Sequence, residues 1–146
     1  MALLTLGAAL QKWVPMTRWS SLLGQVGPVP EEWHGESVAW LPVRAADVVE
    51  RRVALAIRSG NRWLPFHASC LAEATAGQVM LRQFHRPGVV VIGLRVTEQP
   101  PWDAHAWLLG SRGALTGGPA ARGFTATTVF ELPAGVRAEG VDLSVS

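Results

Sequence analysis

With 146 residues the chain has room for one compact domain and is too short to give each of two domains a good core. Its composition, 49% apolar and only 16% charged, excludes a disordered chain and leaves apolar surface that a partner protein can cover. The net charge is only +2, and the basic residues, all arginine except Lys12, are dispersed, which excludes the clustered stripe of a nucleic-acid binder.

A single cysteine excludes an intrachain disulfide and fits a reducing compartment. The apolar run from Met1 to Leu10 has no basic segment ahead of it and no small-x-small cleavage site after it. No stretch approaches the roughly 20 apolar residues of a membrane-spanning helix. The expected location is the cytoplasm.

Residues 2–13 and 17–24 read as two short helices, the second ending at Gly24. Between Gln25 and Pro42, prolines, glycines and acidic residues predict a loop. A helix is expected over 45–58, with Ala46, Val49, Val53, Ala56 and Ile57 on one stripe and Ser59-Gly60-Asn61 ending it. Asp47 and Arg51 can pair on its other side.

After Pro65, a second helix is expected over 69–84, with Ala72, Ala76, Met80 and Phe84 facing the core and Glu73, Gln78 and Arg82 on other faces. Gly77 costs that helix about 1 kcal/mol relative to alanine, unless close packing needs the missing side chain. The β-branched run 89–96 then reads as a buried strand. Residues 103–109 alternate, placing Asp103, His105 and Trp107 on one face, and further strands fit 112–116 and 125–132. Helices followed by an antiparallel meander define an α+β fold. The expected organisation is a single domain over 1–146, with N-terminal helices and a proline-rich loop over 1–44 and the core over 45–132.

Cys70 falls in the first turn of a helix, where unpaired N–H groups and the helix dipole favour a thiolate and can hold an oxyanion. A lone cysteine also serves as a small buried hydrophobe. His105, on a strand, can approach that helix start and take the thiol proton. The order of Cys at a helix start, His on a strand and then a further strand gives the pair its weight.

Two segments carry a resemblance. Residues 68–74, Ala-Ser-Cys-Leu-Ala-Glu-Ala, and 103–107, Asp-Ala-His-Ala-Trp, resemble the paired signatures of the lasso-peptide maturation peptidases. These are the stand-alone B2 proteins and the C-terminal domain of the microcin J25-type processing proteins. The likeness covers nearly the whole chain, including the Leu81-to-Val89 passage from helix into strand. It implies a papain/transglutaminase-like core and a Cys-His-Asp peptidase that cleaves the leader from a ribosomal precursor peptide. It also implies a small leader-recognition (RRE-type) partner, with a separate lasso cyclase closing the macrolactam ring.

The family pattern places an Asp about twelve residues after the His. Here Gly117 stands at that position, within Leu115-Thr116-Gly117-Gly118. A backbone carbonyl near Thr116 or Gly117, a water, Asp103 or Glu131 could orient the imidazole instead. The favoured reading is a Cys70–His105 dyad with a non-carboxylate orienter. A weakly active scaffold that docks leader and cyclase is the alternative, and transamidation a third.

His67, His85 and His34 rank as ordinary surface or helix-end residues, and the four His and one Cys lack metal-ligand spacing. No phosphate-binding loop occurs, so neither a metal nor another cofactor is expected. Of the seven Trp, Trp63 and Trp107 can pack by the site, and Trp13, Trp19, Trp33 and Trp40 pack helices or a binding surface.

Overall fold

A computed structural model of the chain describes residues 23–29, 47–63, 68–99 and 102–132. Most of the two N-terminal helices and of the proline-rich segment, with His34, His67, Trp13, Trp19, Trp33 and Trp40, lie outside the described residues. Within them, β1 (Gln25–Gly27) is followed by α1 (Val48–Trp63) and α2 (Cys70–Gln83). Four strands complete the fold: β2 (Val89–Arg95), β3 (Asp103–Gly110), β4 (Gly113–Thr116) and β5 (Thr125–Glu131). The architecture is α+β, as the order of periodicities implies.

The five strands form one antiparallel sheet in the order β1-β5-β2-β3-β4. Strands β2 to β4 make the expected meander, but β5 returns to the far side of β2 instead of pairing with β4. The loop expected at Gln25 is instead a short strand, because β5 offers Val129 to Glu131 as a ladder for it.

Asp47 Oδ1 accepts the Glu50 N–H at 2.9 Å and caps α1. Asp47 Oδ2 lies 3.3 Å from Arg86. The buried stripe is Glu50, Val53, Ala54, Ile57 and Gly60, whereas Ala56 faces solvent. The helix also runs on through Ser59-Gly60-Asn61 to Trp63. Gly60 continues the inward stripe, and Asn61 Nδ2 donates to Glu73 Oε1 of α2 at 2.6 Å, so this turn is tied down rather than ended.

Helix α2 is buried around most of its circumference, which is why its apolar stripe is a poor guide to its packing. A Cβ on Gly77 would stand 2.4 Å from Leu108 Cδ2 and 3.0 Å from Ile57 Cδ1, so this glycine lets α2 lie close between α1 and β3. Leu108, fully buried there, contributes on the order of 2–3 kcal/mol by leaving water.

Gln78, expected on another face, is fully buried; its Nε2 donates to Leu23 O at 2.8 Å and Gly88 O at 2.9 Å. Phe84, expected in the core, is 56% exposed because it lies past the last helical turn. His85 at φ 53° closes the helix, with Arg86 N–H bonded to Leu81 O and His85 N–H to Arg82 O in the Schellman pattern.

The sheet is buried on both faces. Toward the helices lie Val90, Ala106, Leu108 and Phe130 with Val53 and Ile57; on the other face lie Val91, Trp107, Leu109 and Val129. Along β3 the two sets alternate, which puts His105 on the Trp107 face. No helix among the described residues is long and apolar enough to cross a membrane.

Candidate active site

Ser69, in extended conformation, is the N-cap of α2; its Oγ accepts the Ala72 N–H at 3.2 Å and its carbonyl the Glu73 N–H at 3.0 Å. Cys70 is therefore the first helical residue, and its half-buried thiol sits at the positive end of the helix dipole. Strand β4 ends at Thr116, so beyond its pairing with Leu108 the edge of β3 is open to the start of α2. Through that edge the Ala106 N–H reaches the Cys70 sulfur, and the neighbouring His105 side chain hydrogen-bonds it.

The other side of the imidazole is held by backbone. His105 Nε2 lies 3.0 Å from Gly117 O. A carbonyl can only accept, so Nε2 carries the proton and the Nδ1 lone pair is left for the thiol. Gly117 adopts φ +70°, and a Cβ there would come within 2.7 Å of Ala106 O and 2.9 Å of Trp107 Cβ. No side chain fits on this backbone, so the carbonyl stands where the resemblance expects a carboxylate.

These contacts favour the ion pair. The Cys70 thiol is pushed below its ordinary range, first by the hydrogen bond from His105 and then, against the opposing effect of burial, by the Ala106 N–H, the imidazolium charge and the Leu71 N–H. His105 is pushed up by its hydrogen bond to Cys70, against the opposing effect of burial; the Gly117 carbonyl, the thiolate and Glu73 add to the rise. Both shifts raise the thiolate–imidazolium fraction near neutral pH.

The remaining candidate orienters lie elsewhere. Asp103 Oδ2 is bonded to Arg95 at 2.7 Å, with both side chains about half exposed. The Thr116 hydroxyl is buried without a hydrogen-bond partner among the described residues. Glu131 pairs with Val89, whereas His105 pairs with Gly93, about 13 Å away along the strands at ~3.3 Å per residue. Trp107 is buried beside His105, with ring centroids 6.1 Å apart, but Trp63 is 78% exposed and packs nothing there. Among the described residues no cluster of His, Cys, Asp or Glu could hold a metal ion.

Three further side chains adjoin the pair. Phe124 lies tilted against the His105 ring at 5.3 Å between centroids, Arg95 lies 4.6 Å over Phe124, and Glu73 raises His105 electrostatically. The signal for Glu73 was its spacing, three residues after Cys70 and so on the same helix face. Phe124 follows a 3-10 turn (Pro119–Ala121) and had no sequence signal.

A Cys at a helix start meeting a His on an antiparallel strand places a thiol beside a base. The family model of the transglutaminase-like superfamily matches residues 8–129, and the chain belongs to that superfamily. No curated protein and no solved structure matches it.

Proposed function

We propose that the protein is a cysteine peptidase that removes the leader from a lasso-peptide precursor, acting in the cytoplasm with a small leader-binding partner and ahead of the lasso cyclase. The observation that carries the catalytic part is the Cys70 thiol hydrogen-bonded to a His105 ring whose opposite nitrogen is fixed by Gly117 O. The choice of substrate rests on the resemblance of residues 68–74 and 103–107 to the lasso-peptide maturation peptidases.

In the reaction, His105 Nδ1 takes the thiol proton and Sγ attacks the scissile carbonyl carbon. The carbonyl π electrons move onto oxygen, and the N–H of Cys70 at the helix start is the donor placed to hold that oxyanion. Collapse expels the core-peptide amine, which receives the proton from the imidazolium, and leaves the leader as a thioester on Cys70. Water then gives a proton to His105 and its oxygen to the thioester, releasing the leader as a free acid and restoring the thiol. A carbonyl orienter fixes the tautomer but lacks the full charge of a carboxylate, so the imidazolium depends more on the thiolate and on Glu73.

Incubating precursor with the chain and its leader-binding partner, then weighing the products by mass spectrometry, tests this reading. The expected product is a leader ending in a free acid, absent with Cys70→Ala. Cleavage undiminished in that variant contradicts it, and a leader joined to an amine shows transfer in place of hydrolysis.

A further inference from the structure

The Gly117 bond fixes one atom of the His105 ring and leaves the ring free to tilt about that bond. Reaching Sγ with Nδ1 requires the ring plane to be fixed as well, which takes contacts on its faces. Trp107 lies near it at 6.1 Å between centroids and 27° between planes. Phe124 lies closer, at 5.3 Å and 39°.

Phe124 sits in the irregular stretch before β5, outside any strand ladder. It packs against the Trp107 face of the sheet, its N–H donates to Ala121 O at 3.1 Å, and Arg95 covers its ring, with the guanidinium carbon 4.6 Å from the Phe124 centroid. Arg95 is in turn pinned by Asp103, its register partner across β2 and β3, at 2.7 Å. The contacts therefore close a circuit that leaves β3 at Asp103, passes through Arg95 and Phe124, and returns to β3 at His105.

Resting on the reading of Cys70 and His105 as a working pair, we propose that Phe124, backed by Arg95 and Asp103, is the positioning residue that fixes the plane of the His105 imidazole. In this arrangement an aromatic clamp and one carbonyl share the work that a single carboxylate does when it both bonds and aligns a ring. The clamp is also suited to the charge that develops. The electron-rich face of Phe124 favours imidazolium over imidazole, and Asp103 offsets the like charge of Arg95 on the same ring. The charged and titratable groups around His105 are Cys70 and Glu73 from α2, Arg95 from β2 and Asp103 from β3 itself.

The test is the rate of Cys70 alkylation by iodoacetamide as a function of pH, which needs no substrate and reads one thiol in a chain with a single cysteine. Phe124→Ala is expected to slow alkylation near neutral pH about three- to tenfold, the size of a lost cation–aromatic contact plus misalignment, and to move the profile toward that of an ordinary thiol. Phe124→Leu, which keeps bulk without a π face, gives the same direction if the alanine variant does not fold. Phe124→Tyr restores the wild-type profile, and Arg95→Ala shows a smaller shift of the same sign. A folded Phe124→Leu protein with unchanged rate and profile overturns the clamp and leaves the Cys–His pair standing. A wild-type profile identical to that of His105→Ala overturns the pair, and the clamp with it.

Discussion

The two ends of β3 each carry a carboxylate contact, and they do opposite things. At Gly110 the strand turns beneath α1, where fully buried Glu50 accepts the Ser111 N–H at 2.6 Å. At Asp103 the carboxylate meets Arg95 in solvent, with side-chain exposures of 50% and 48%. Burial along the strand follows the same gradient: Asp103 and Ala104 are exposed, His105 is intermediate, and Ala106 to Gly110 are buried. The buried end anchors the turn of the β3–β4 hairpin; the exposed end leaves the reactive face open. His105 sits at the crossover, where it has both a rigid frame and access.

The sharpest way to break that arrangement is Gly117→Ala, since the new Cβ has no room and φ +70° disfavours a side chain. The expected cost is about 1–3 kcal/mol of stability in a denaturant titration, together with an upward move of the Cys70 titration as the carbonyl leaves His105. Glu50→Ala attacks the buried end alone. Leaving the part-buried Ser111 N–H without its acceptor is expected to cost about 1 kcal/mol, while the Cys70 titration of the folded fraction stays as in wild type. A shifted titration in that variant would mean that the two ends are not separable.

The smallest effect is expected from Glu73→Gln, which alters charge and little else. As pH falls through the lowered Cys70 value the thiolate is lost, and as pH rises through the raised His105 value the imidazolium is lost. Removing the Glu73 charge lowers His105, so the upper limit of the ion-pair range moves down while the protein's stability hardly changes. An upper limit unmoved in the alkylation profile would show that Glu73 is screened from the site.

The exposed end of β3 was more legible in the sequence than the buried one. Alternation in 103–109 and the β-branched run before it place β2 and β3 within a residue of their observed bounds, and a helix start at Ser69-Cys70 follows from Pro65 and the apolar spacing. Glu50 was hidden because a charged residue on an apolar stripe reads as a break in it, whereas here its partner is a backbone N–H 61 residues away. Gln78 was hidden in the same way, since its carbonyl partners come from remote segments. Strand β1 is three residues long and exists only through β5. At the site, the sequence brings Cys70 and His105 into view but offers the Gly117 carbonyl only as one of several orienters, because a backbone acceptor has no residue type.

The central claim is that Cys70 and His105 form one titrating unit, and an ultraviolet difference titration of the single thiolate tests it most directly, wild type against His105→Ala. Wild-type Cys70 is expected to ionise below the ordinary thiol value of 9.0, and the variant to return toward it. Superimposable titrations of the two proteins would contradict it.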